Sequence, residues 1–287
     1  LHDALALALR SSGGKPLPAA LVTAAATQLR ERWPHGDGAT IGLSPLLLVL
    51  DDTLAQLPWE SIPSLTGQPV CRLPNAGFAA GCAVAVERRG GAVVPSEAYY
   101  VLNPGGDLRR TQETFHERFA TPPWGGVAGE PPKEVELRAA LERKDLFVYC
   151  GHGDGSRYVS ADALRQLERC PVSFLMGCSS GALRTHGALA PSGMALSYLH
   201  ARCPALVANL WDVTDGEIDR FCEALIEGCG GGGGGGGGGD GGGGSEQSQS
   251  GVCLLSVVSR ARAACRLRYL TGAAAVCYGV PVLIKVP

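Results

Sequence analysis

Leu146-Phe147-Val148-Tyr149-Cys150-Gly151-His152-Gly153-Asp154-Gly155 joins an unbroken apolar run to a glycine-rich turn that carries a single histidine. Consecutive apolar residues without polar alternation read as a strand covered on both faces. The glycines permit a sharp turn and leave backbone N–H groups uncovered. Ser173-Phe174-Leu175-Met176 followed by Gly177-Cys178-Ser179-Ser180-Gly181 repeats the plan with a cysteine in the turn. Ala205 to Trp211 reads as a further strand, ending at Asp212, and Tyr99-Tyr100-Val101-Leu102-Asn103 as another, stopped by Pro104-Gly105-Gly106. Arg109 to Phe119, Pro132 to Arg143 and Asp215 to Ile226 read as helices between these strands, the second with proline in its first turn. Buried strands alternating with helices predict an α/β/α sandwich with a mostly parallel sheet. Such sheets place their sites at the carboxyl ends of the strands.

The flanks extend this pattern. His2 to Arg32 is rich in alanine and leucine and reads as helix broken at Gly13-Gly14 and Pro16, with a loop over Pro34 to Gly38. Leu46 to Leu50 reads as a buried strand, and Pro58-Trp59-Glu60-Ser61-Ile62-Pro63 as a loop bracketed by prolines. Trp124 to Pro132 reads as a Gly/Pro loop, Ser256 to Leu270 as containing a helix, and Tyr278 to Val286 as a last strand with Pro281 at an edge. Residues 1–95 are expected to precede a core domain of 96–287. Within the core, the glycine run at 230–250 is expected to be a disordered surface insertion.

Composition narrows the classes. Apolar residues make up 45% of 287, enough for a sizeable core, and the formal net charge of −2 gives no electrostatic grip on nucleic acid or an acidic membrane. The run Leu46 to Leu50 is far too short to span a bilayer. The chain starts at Leu1 rather than Met and is read as a piece of a longer protein. Its 11 cysteines include no Cys-x-x-Cys pair, so zinc-ribbon and thioredoxin readings fail on spacing. Most are expected to be small buried hydrophobes in a reducing compartment.

His152 and Cys178 end strands that would lie side by side, which supplies a thiol nucleophile and an imidazole base. The N–H groups of Gly153 and Cys178 are the natural donors to a developing oxyanion. Gly177-Cys178-Ser179-Ser180-Gly181 also matches a serine nucleophile elbow, which requires an acid and then a histidine after Ser179. Only His186 and His200 follow Ser179, with no acidic residue between Ser179 and His200, so the serine reading fails on order.

Gly151-His152-Gly153, Met176 to Gly181 and Asn209-Leu210-Trp211-Asp212-Val213-Thr214-Asp215 resemble the hallmark blocks of the separases. Leu57 to Pro63, Tyr100 to Pro104 and Tyr269-Leu270-Thr271-Gly272-Ala273 fit the same family, in the same order. The resemblance implies a caspase-like fold, His152 as base, Cys178 as nucleophile, and cleavage after arginine at Glu-x-x-Arg sites. It also implies an acidic S1 pocket for the arginine. Asp212 beside the flat face of Trp211 is the first candidate for that pocket, and Asp215 the second, with the cap of the following helix as an equal reading of Asp215. Asp154 departs from the small or neutral residue expected beside the histidine.

The implied substrate is the cohesin kleisin subunit, cut to release sister chromatids at anaphase, and the implied inhibitor is a securin-like chaperone. Cytoplasm and nucleus, with chromosome association at mitosis, are the implied locations. No cofactor, metal, nucleic acid or membrane partner is expected. The competing readings are a gingipain- or CHAT-type protease and an inactive scaffold of the same fold.

Overall fold

The computed structural model describes residues 44–51, 53–120, 124–187, 189–230 and 251–285. The readings for His2 to Gly38 and for the glycine run from 231 onward lie outside them. The central sheet is built from β1 (Leu46–Val49), β2 (Val70–Leu73), β4 (Ala98–Leu102), β5 (Gly125–Ala128), β6 (Leu146–Cys150), β7 (Val172–Leu175), β10 (Ala205–Asn209) and β12 (Ala275–Gly279). Their order is β1-β2-β12-β10-β7-β6-β4-β5. Every neighbouring pair is parallel except β10 with β12. This is the expected α/β architecture, although β1, read as a buried strand, is the half-buried edge of the sheet, and β2 is fully buried despite carrying Arg72. Leu146–Cys150 is buried at every residue, as are Val172–Leu175 and Ala205–Asn209.

The helices are α1 (Gly77–Arg88), α2 (Arg109–Phe119), α3 (Glu134–Arg143), α4 (Ala161–Arg165), α5 (Met194–His200), α6 (Asp215–Cys229) and α7 (Leu254–Ala261). Six of them gather in two groups, α2 with α6 and α7, and α1 with α4 and α5, and both groups pack on the sheet. Phe119 of α2 closes one flank against Phe115, Tyr100 and Trp124, at centroid separations of 5.0 to 5.2 Å. No described helix is long and apolar enough to cross a membrane.

Three local readings change. Gly125–Ala128, read as loop, is a strand, because it pairs along its length with β4 at the sheet edge. The helix read over Ser256 to Leu270 is α7, which ends at Ala261 and passes into a 3₁₀ turn and a separate π turn at Arg268–Gly272. The last strand is two. Gly279 sits at φ +111°, where a Cβ would come within 2.2 Å of the Pro204 carbonyl oxygen, so the chain turns there. β13 (Leu283–Lys285) then joins a small sheet with β11 (Gly251–Cys253) and β3 (Ala92–Val93), and β8 (Arg184–His186) pairs antiparallel with β9 (Leu189–Ser192) apart from both sheets. Strands from both sides of residue 95 share the central sheet: β2 lies beside β12.

The β2–β12 seam holds a buried ion pair. Arg72 is 1% exposed and donates Nε to Glu60 Oε1 at 2.7 Å and its two Nη groups to the carbonyls of Ala55 and Leu57, each at 2.7 Å. Its Nη2 also pairs with Glu60 Oε2. Glu60 comes from the proline-bracketed stretch 58–63, which is therefore fixed to the sheet by charge. A buried guanidinium stripped of its carboxylate is costly. Glu60→Ala is expected to destabilise the fold by about 3–5 kcal/mol, read as a lowered urea midpoint with an unchanged denaturant slope.

Candidate active site

Three strand ends meet at one edge of the sheet. β4, β6 and β7 are neighbours, with Leu102 opposite Cys150 and Tyr149 opposite Leu175. Their turns carry Asp107, His152 and Cys178. His152 and Cys178 line one pocket together with Met176, Val213, Asp215 and Asp219.

Backbone contact sets their separation. A Cβ on Gly177 would fall 1.9 Å from the Gly153 carbonyl oxygen and 2.5 Å from that of Gly151. Only glycine lets the cysteine turn lie directly on the histidine turn. The histidine turn is held from below by Tyr149, whose hydroxyl donates to the His152 carbonyl at 2.6 Å. Gly153 takes φ +66°.

The cysteine turn is fastened to β10. Ser179 N donates to the Trp211 carbonyl at 3.1 Å and Gly181 N to the Asn209 carbonyl at 2.8 Å. Asn209 Nδ2 donates to the Gly177 carbonyl at 3.1 Å. The buried Ser180 hydroxyl donates to the Leu175 carbonyl at 2.7 Å and accepts from Asn209 N at 3.1 Å. These bonds hold Ser179 at φ +51°, a conformation that a non-glycine residue adopts only when its surroundings enforce it.

The reactive groups are ready rather than joined. The Cys178 thiol contacts the Val213 carbonyl oxygen at 3.2 Å, and His152 Nε2 lies 3.0 Å from Asp107 Oδ2. His152 and Cys178 make no hydrogen bond with each other. The N–H groups of Gly153 and Cys178 donate to no described residue. Asp107 is presented by a structured turn. Asn103, at φ +48°, accepts from Leu108 N through Oδ1 at 2.9 Å and donates Nδ2 to Gln112 at 2.8 Å.

The carboxylates divide by position. Asp212 accepts from the Ser179 hydroxyl at 2.6 Å and is not among the residues lining the pocket, and Trp211 Nε1 donates to the Leu270 carbonyl at 3.0 Å. Asp215 lies in the first turn of α6, with Thr214 as the N-cap, so the cap reading of Asp215 moves one residue back. Asp219, one helical turn further on, is 8% exposed, lines the pocket and accepts from the Thr111 hydroxyl at 2.9 Å. Burial, with a smaller push from Asp215, raises its carboxyl to about 6. Asp154 accepts from Ser156 N at 3.0 Å within its own turn and does not line the pocket.

Residues 22–218 match the family model described as "Separin, protease domain". The chain belongs to this family. It is 44% identical over 256 residues to separin of Emericella nidulans, covering 85% of this chain, and 42% identical over 248 residues to separin of Mus musculus, covering 84%. It spans only 12% and 11% of those proteins' lengths. A solved Saccharomyces cerevisiae separase–securin complex superposes with a TM-score of 0.71 at 33% identity, over 87% of this chain and 16% of that one. The Arg-specific cysteine proteinase gingipain R superposes at TM-score 0.55 with 10% identity over 96% of this chain and 70% of its own, a likeness of fold alone.

Asp107 and Asp219 were not singled out by sequence. The Asn103-Pro104-Gly105-Gly106 turn was the available signal for Asp107, since it ends an apolar strand in the manner of the other two. For Asp219 the signal was a carboxylate four residues after Asp215 on one helix face. Gly177→Ala is expected to cost about 1–3 kcal/mol of stability, as overpacked cores do, and to separate the two turns. Melting temperature and the rate of Cys178 alkylation, both lowered relative to wild type, would register it.

Proposed function

We propose that this domain is a separase-type cysteine endopeptidase that cleaves after arginine. The observation that carries the reading is the shared pocket. It brings a thiol, an imidazole, the undonated Cys178 amide and a buried carboxylate to one place, with the Gly153 amide in the adjoining turn.

Asp107 accepts the Nε2 proton of His152, which leaves Nδ1 as the basic nitrogen. That nitrogen takes the Cys178 proton as a bound peptide brings the groups together, and the thiolate attacks the scissile carbonyl carbon. The amides of Gly153 and Cys178 receive the oxyanion. His152 returns the proton to the departing amine, and water then hydrolyses the thioester with His152 as base. Asp219 is the carboxylate of the S1 pocket in this reading, in preference to Asp212, whose oxygen is occupied by Ser179. Asp215, also in the pocket lining, adds a second negative charge at its mouth. An incoming guanidinium restores to Asp219 the charge stabilisation that burial removed.

The intact protein's substrate on this reading is the cohesin kleisin subunit, and a securin-type chain blocks the cleft as a pseudosubstrate. Cytoplasm and nucleus are the compartments that suit that work. The family membership and the likeness to a separase–securin complex support the substrate and inhibitor assignments. Failure of the full-length protein both to cut a kleisin and to bind a securin-like chain would overturn them.

Cys178→Ser is expected to abolish cleavage of a Glu-x-x-Arg peptide with the melting temperature unchanged. Asp219→Asn is expected to lower kcat/KM on that peptide by roughly a hundredfold or more, and Asp212→Ala to lower it far less. The reverse order would return S1 to Asp212. A carboxyl near 6 is ionised above that pH and neutral below it, so KM for the peptide should rise as pH falls through about 6. The Asp219→Asn enzyme should show no such rise.

A further inference from the structure

The opposite ends of β7 and β10 border a second cavity, of about 240 Å³. Its walls include Val84, Arg88 and Arg89 from the end of α1, Glu168 and Arg169 from the turn before β7, and Arg202 from the turn before β10. Arg89 is a strut. Its side chain is 2% exposed, with Nη1 donating to Asp145 at 2.8 Å and Nη2 to the Cys170 carbonyl, which ties α1 to the starts of β6 and β7. Its buried Nε makes no hydrogen bond with the described residues. Arg169 shares the same Asp145 at 2.6 Å. The guanidinium groups of Arg88 and Arg202 form no ion pair or hydrogen bond with the described residues, and Arg202 is held at φ +62°.

A strut explains one arginine and leaves three. Against the four stand Glu168 in the lining and Asp145 behind it, so the hollow keeps a surplus of two positive charges. All four cations are arginine, whose planar fork matches tetrahedral phosphate oxygens in a way an ammonium does not. Burial, and then repulsion from Arg169, hold the Arg89 guanidinium below its ordinary value, a cost that a bound anion relieves.

We propose that this cavity is a docking site for a phosphorylated serine or threonine side chain on a protein segment. A phosphate monoester carries about −1.5 to −2 at neutral pH, which balances the surplus, whereas a carboxylate leaves half of it. Val84, 38% exposed at the rim, supplies an apolar contact for a residue beside the phosphate, which free phosphate lacks. The site lies at the far ends of the strands that carry Cys178 and Asp212 and is independent of the protease reading.

The test measures anisotropy of a fluorescent Ala-Leu-phosphoserine-Leu-Ala peptide with the full-length protein. The phosphopeptide is expected to bind at least about tenfold tighter than its serine counterpart, and Arg88→Gln with Arg202→Gln to lose about tenfold or more, as charge-assisted pairs do. Melting temperature and Cys178 alkylation should not move in that double variant. Inorganic phosphate should displace the peptide only at concentrations far above the peptide's own Kd. Equal binding of the two peptides, or full affinity in the double variant, overturns the proposal. Displacement by inorganic phosphate at concentrations near that Kd makes the cavity an adventitious ion site only and overturns it equally.

Discussion

The backbone of Gly177 rests on the carbonyls of Gly151 and Gly153, and the geometry of the site follows from that contact. Parallel pairing of β6 and β7 places the strand ends near each other, but pairing alone fixes neither the height nor the angle of the turns. The missing side chain at Gly177 does. With the turns touching, the cysteine and histidine project into the same pocket and their amides stay unoccupied. β10 braces the arrangement from the other side through Asn209 and Ser180, so the left-handed Ser179 is enforced by four hydrogen bonds from buried partners.

Charge burial in this molecule has two forms. At the β2 seam Arg72 and Glu60 satisfy each other completely, and spare donors go to backbone carbonyls, so the pair is structural. In the pocket Asp219 accepts from the Thr111 hydroxyl and feels Arg110 only weakly, and burial pushes its carboxyl upward. The thiol and imidazole each rest against another group while facing a common space.

Parallel strands give the two ends of the sheet different characters. Carboxyl ends here bear the Cys178 thiol, the His152 imidazole and the pocket acids. Amino ends of β7 and β10 bear arginines around a hollow. Because each strand is only four or five residues long, both ends belong to one rigid element.

Sequence by itself determined three of the buried strands, since only a two-sided burial tolerates runs such as Leu146 to Cys150, and from those runs the parallel α/β class; it missed β2, whose Arg72 breaks the apolar run, and read the half-buried edge strand β1 as buried. It also placed His152 and Cys178 at strand ends, because glycine turns after apolar strands are local features. It misjudged β5, whose strand character comes from its neighbour β4 rather than from its own glycines, and the final strand, which turns at the positive φ of Gly279, a position where any Cβ would strike the Pro204 carbonyl. Tertiary structure alone decided which carboxylates come near His152 and Cys178. Asp107 and Asp219 lie 45 and 67 positions from His152 in the chain. Asp212, nearest in motif, turns to Ser179 instead. Strand order and helix rotation, which no local pattern encodes, set those distances.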